Sequence, residues 1–122
     1  MEHAHEILLL VTFLAACAHQ QVSFKNDIKP IIDKRCIECH TSPGGNGYKQ
    51  TGLLMYNYDD LMKGSVYGSI IVAGDSQRSV LNMLVEGRAG NVRRKLHEKG
   101  NDLTDTEIET FRLWVEQGAL NN

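Results

Sequence analysis

The 122-residue chain has few cysteines, prolines and aromatics: three Cys, two Pro, and 7% Phe, Trp and Tyr together. Three cysteines, one of them closing a hydrophobic run, do not form the even, spaced set that staples a disulfide-rich domain. An excess of one charge is missing too. Thirteen basic side chains against 15 acidic ones leave a formal net charge of -2. A phosphate-binding surface needs a basic excess, so no nucleic-acid partner is expected. No apolar run approaches the roughly 20 residues of a membrane-spanning helix. Internal repeats, low-complexity tracts and an alternation of strand and helix patterns are absent as well. The length suits one domain and is too short for two ordinary ones.

Against this background stands Cys36-Ile37-Glu38-Cys39-His40. The pattern C-x-x-C-H is the attachment signature of a c-type haem. Two thiols at this spacing reach the two vinyl groups of one porphyrin, while the next imidazole ligates the iron from the same face. Ile37 and Glu38 need only let the chain curl through about one turn. The competing readings are a redox dithiol and half a zinc site. A thioredoxin-like dithiol belongs beside a βαβ pattern, which is lacking. A closed zinc site takes four Cys or His ligands. No cysteine follows Cys39, and His40 and His97 do not make the usual paired spacing. One covalent haem c is the expected cofactor, held by Cys36, Cys39 and His40. It would itself supply much of the apolar volume of a core this small.

Residues Ile7 to Ala16 form a nearly uninterrupted apolar run that ends at Cys17. Its length suits the h-region of a signal peptide. Leu14-Ala15-Ala16-Cys17 resembles the lipobox of bacterial lipoproteins, which implies acylation of Cys17 and tethering to a membrane. The stretch Met1 to Glu6 carries no Lys or Arg, so a buried N-terminal helix is the competing reading. The expected organisation is a signal peptide over 1–16, a connector over 17–22 in which His19 is solvated, and one domain over 23–122. Export and haem attachment support each other, since bacteria attach this haem outside the cytoplasm. The expected location is the periplasm or the outer cell surface.

The pattern is all-α. From Ser23, Phe24, Ile28, Ile31 and Ile32 share one helical face. Pro30 is tolerated in a first turn, which places the start of the regular helix near Asp27 or Ile28. That helix delivers Cys36, and Lys34-Arg35 beside it reads as a solvated face. Thr41 to Gly47 reads as a loop, with the Pro43 carbonyl a plausible acceptor for the Nδ1 proton of His40. Gly52 to Tyr56 is extended or a pocket wall. Tyr58 to Gly64 is a brief helix with a glycine cap, and Ser69 to Gly74 an extended lining rather than a sheet. Ser76 is expected to cap a helix carrying Val80, Leu81, Leu84 and Val85 and stopped by Gly87, with Met83 packed in the core. Gly87 to Asp102 is polar and glycine-punctuated. Thr104 and Glu107 make a capping box for a final helix with the stripe Ile108, Phe111, Leu113, Trp114 and Val115, ended by Gly118.

In order and spacing these segments resemble a small class I-type monohaem cytochrome c. They are most similar to the cytochrome c-like domains of environmental bacteria. The matching positions are Pro30-Ile31, Cys36 to His40, Gly52 to Met55, Tyr58 to Gly64, Gly74 with Ser79 and Leu81, Leu103, Glu107-Ile108, and Trp114 to Ala119. The resemblance covers nearly everything after Ser23. It implies N- and C-terminal helices packed around one haem, with long irregular loops.

One departure is informative. The family's axial methionine and its proline align with Leu96 and His97, and leucine cannot bind iron. His97 stands next to the vacant position, so the resemblance implies bis-histidine ligation, His40 proximal and His97 distal, with Met83 as the alternative. Met55, Met62 and a five-coordinate iron are further alternatives. Exchange of sulfur for nitrogen lowers the expected reduction potential. A six-coordinate iron leaves no position for substrate, which points to an electron carrier that docks transiently with redox partners and not to an enzyme. The alternatives are a haem-based gas sensor and an electron-entry subunit of a larger redox enzyme.

Overall fold

The computed structural model describes residues 20–90 and 103–122. Helix formation starts at Ser23, whose extended backbone and Oγ, which accepts the Asn26 N–H at 3.0 Å, make it an N-cap. The Asp27 carboxylate accepts the Ser23 N–H at 2.7 Å. Pro30 then decides the winding. It has no N–H to close an ordinary helical turn, and Phe24–Ile28 coil as a wider π turn. In it the Ile28 N–H bonds Ser23 O at 3.2 Å, and the Lys29 N–H bonds Phe24 O. Helix α1, Lys29–Arg35, follows with Pro30 in its first turn, so the regular helix starts slightly later than the sequence suggests.

The loop expected through Gly47 is shorter than that. Asn46–Thr51 form a helix, α2, closed by Gly52 at φ 68°. Gly52 supplies the left-handed residue that ends many helices and turns the chain back on itself. Helix α3, Tyr58–Lys63, is capped by the Asn57 side chain, which accepts the Asp60 N–H, and ends at Gly64 as expected. Residues Ser69 to Gly74 pair in no strand, and Ile70 and Ile71 are buried. Helix α4, Val80–Val85, begins after Ser79, and Gly87 follows it at φ 73°. Ser76 is no cap. Its hydroxyl donates to Glu116 Oε1 at 2.9 Å, because the chain passes there along the end of the last helix and finds a stronger, ionised acceptor.

Helix α5, Asp105–Glu116, carries the expected capping box between Thr104 and Glu107. Its face Phe111, Trp114 and Val115 is fully buried against Phe24, Ile28 and Ile32. Phe24 meets the Tyr58 ring edge-on at 5.3 Å and lies 5.6 Å from Trp114. Such ring pairs contribute about 0.5–1.5 kcal/mol beyond the area they bury. The polar ends of these rings are satisfied by the turn after α5: Trp114 Nε1 donates to Leu120 O at 3.0 Å and Tyr58 OH to Ala119 O at 2.7 Å. The start of the π turn and the segment after α5 are stitched together. Gln117 accepts the Val22 N–H, and Asn122 accepts the Phe24 N–H through its side chain and the Lys25 N–H through its main chain. The described residues thus form a small all-α unit of five short helices with no strand, its N- and C-terminal helices in contact. No helix among them is long and apolar enough to cross a membrane.

Candidate functional site

Helix α1 runs directly into the Cys36–His40 turn. The Cys36 N–H still bonds Ile32 O at 2.8 Å. The Cys36 carbonyl then accepts the N–H groups of both Cys39, at 3.2 Å, and His40, at 3.1 Å. One carbonyl therefore gathers both thiols and the imidazole within a single turn. Neither cysteine is joined in a disulfide among the described residues, and both are half-buried. Cys36 packs against the apolar core. Burial, then the neighbouring Cys39 and the Glu107 carboxylate, push its thiol up to about 12 against a partial opposing pull from Arg35. Cys36 is therefore protonated at neutral pH, whereas a dithiol catalyst relies on a stabilised thiolate. Among the described residues no three His, Cys, Asp or Glu gather as a closed zinc site requires.

His40 is held from the far side by the chain that Gly52 turns back. Its Nδ1–H donates to Leu53 O at 3.2 Å, and its own carbonyl accepts the Met55 N–H at 3.2 Å. The acceptor is thus Leu53 and not Pro43, since it is the returning segment that runs alongside His40. A carbonyl only accepts, so Nδ1 carries a proton. Tyr56 fixes the next residues: its hydroxyl lies 2.5 Å from Thr41 Oγ1, accepts the Ser42 N–H at 2.9 Å and donates to Ser42 O at 3.1 Å. Beneath the turn lies the start of α2. The Tyr48 N–H bonds Cys39 O at 2.9 Å, and a β-carbon on Gly45 would overlap that same carbonyl. Leu53 and Tyr56 fall in the segment read as extended or a pocket wall, and Gly45 and Gly47 in the one read as a loop, but their contacts with Cys39, His40, Thr41 and Ser42 were not foreseen. The only local signal for them was the spacing of glycines after His40.

Arg35 is no solvated residue. It forms a partly buried ion pair with Glu107 at 3.1 Å, tying the end of α1 to the start of α5 beside Cys36. Met83 does not pack in the core as expected: α4 leaves it half-buried and outside the apolar cluster. Met55 is buried in that cluster and Met62 packs against it. His97, Cys17 and His19 lie outside the described residues. On α4, Asn82 is fully buried, and neither its Oδ1 nor its Nδ2 has a hydrogen-bond partner among the described residues. Surface hollows of about 320 and 370 Å³ lie elsewhere, beside Tyr58 and Asn121 in one case and Tyr48 and Val66 in the other. Neither is lined by Cys36, Cys39 or His40. No family model, curated protein or solved structure matches this chain.

Proposed function

We propose that the chain is a small exported c-type cytochrome that carries one covalent haem and passes single electrons between redox partners. The observation that carries this reading is the Cys36–His40 turn, in which the Cys36 carbonyl accepts the main-chain N–H groups of Cys39 and His40 while the His40 Nδ1–H donates to Leu53 O. That donor set suits a haem c: Cys36 and Cys39 would hold the porphyrin through thioethers, and His40 Nε2 would be the proximal ligand. The burial that disfavours a charge on Cys36 supports a thioether there, since a thioether carries no charge to desolvate. His97 is the proposed distal ligand and Met83 the alternative, to which half-burial outside the core is favourable. When bound, the haem supplies a one-electron iron couple whose potential follows ligand identity, hydrogen bonding and burial.

The rest is the work of the chain itself. The Leu53 carbonyl holds the Nδ1 proton, which fixes the ring and raises the basicity of Nε2. Half-buried Ile31, Ile37, Leu103 and Leu113, packed against the core, would exclude water from an apolar cofactor. The proposed fold is the cytochrome c arrangement, a reading that contact between the N- and C-terminal helices supports. Residues 1–16 would export the chain and Cys17 would anchor it by lipid at the periplasmic or outer face of a membrane, where docking partners exchange electrons with it.

The test is chemical. Produced in a host that attaches haem, the chain should keep its colour and the added mass of one haem through denaturation and acid extraction. A colourless polypeptide at its unmodified mass refutes the proposal.

A further inference from the structure

We propose that Gly47 is a positioning residue for His40: the missing side chain at 47 keeps clear the space beside the Cε1–Nε2 edge of the imidazole. This rests on the reading of His40 as an iron ligand and adds what sets the placement of its ring. A β-carbon built on Gly47 would stand 2.7 Å from His40 Cε1, 2.9 Å from Nε2 and 3.0 Å from Cys39 O. Distances to ring atoms this short are not tolerated, so either the ring or α2 must move.

Neither moves cheaply. The ring is tied through Nδ1 to Leu53 O, and its main chain is tied on one side to Cys36 O and on the other to the Met55 N–H. Helix α2 is tied by Tyr48 N–H to Cys39 O and by Gly45 N–H to Thr41 O, both at 2.9 Å. A methyl group at 47 therefore breaks the Leu53 contact, breaks the Tyr48 contact, or presses against the Cε1 and Nε2 atoms of the ring.

The need for glycine here is steric and not conformational. Gly47 is not among the glycines with positive φ, and it lies inside a helix. Alanine is favoured over glycine by about 1 kcal/mol in a helix interior and by less in the first turn, where Gly47 stands. Local propensity thus argues for alanine, and only the neighbouring imidazole and carbonyl argue against it. Gly44 makes the control: a β-carbon there meets nothing within 4 Å, and its φ is likewise not positive.

The experiment compares Gly47→Ala with Gly44→Ala in the haem-loaded protein, following the low-spin absorption through an acid titration. Disturbing the surroundings of a metal ligand weakens metal binding by about 10–100-fold, so Gly47→Ala should lose the proximal bond at a pH higher by about one unit or more. Gly44→Ala should titrate as the unmodified protein does. Equal titration of both variants with the unmodified protein overturns the inference. Should Gly47→Ala not fold, the unmodified reduced protein decides the matter. A nuclear Overhauser contact between His40 Hε1 and the Gly47 α-protons is expected, and its absence overturns the inference. Should the protein carry no haem at all, the proposed function falls but the seat is still tested. The same contact, and a His40 titration shifted in Gly47→Ala but not in Gly44→Ala, are then read on the haem-free chain, and their absence refutes the role of Gly47 separately.

Discussion

Replacement of Asn82 by leucine is expected to stabilise the protein. Asn82 is fully buried on α4, and both polar atoms of its amide lack a hydrogen-bond partner among the described residues. An amide buried without a partner costs roughly 1–3 kcal/mol relative to one left in water. Leucine has a similar volume and removes that penalty. Part of the gain is lost because a branched apolar side chain does not reproduce the planar amide, and misfit in a packed site costs about 1 kcal/mol or more. The balance is a net gain of about 1 kcal/mol, which at this size corresponds to a rise in melting temperature of about 4 °C. Urea unfolding should show the midpoint rising at unchanged slope, the mark of a change in stability and not in compactness. Asn82→Asp, which places a charge in the same surroundings, should destabilise. If Asn82→Leu instead lowers stability by 1 kcal/mol or more, on the same scale, the amide is hydrogen-bonded in the working protein and the reasoning from its isolation fails.

Burial pushes the Glu107 carboxyl up, but the Thr104 N–H and the Arg35 guanidinium together outweigh it and hold the group below its ordinary 4.5. A depressed carboxyl adds stability that is complete above pH 4.5 and is lost as pH falls through the folded value. Glu107→Gln keeps an oxygen for the cap and loses the ion pair, so it should cost about 1 kcal/mol at neutral pH and flatten the acid side of the stability profile. Parallel profiles for the two proteins would rule this out. His97→Ala should turn a low-spin spectrum into a high-spin one that binds carbon monoxide when reduced. A low-spin spectrum that persists with an iron–sulfur charge-transfer band would assign the distal position to Met83 or another methionine. Cys17→Ser should move the protein from the membrane fraction to the soluble one, and retention on the membrane would remove the lipid anchor.

The sequence by itself determined the all-α class, the C-x-x-C-H turn, the capped last helix and the brief helix before Gly64. Each depends on neighbours a few residues apart: apolar spacing, a capping box, a glycine that ends a turn. Only the tertiary structure decided what surrounds His40 and Cys36. The carbonyl that holds the imidazole belongs to Leu53, thirteen positions along. The carboxylate that pairs with Arg35 is Glu107, 72 positions along. Ser76 likewise bonds Glu116 rather than its own helix. These partners are chosen by which segments are pressed together once Phe24, Tyr58 and Trp114 bury one another, and no local pattern records that choice. Local chemistry thus named the Cys36–His40 turn, while long-range packing set the Nδ1 contact, the steric clearance and the ion pair around it.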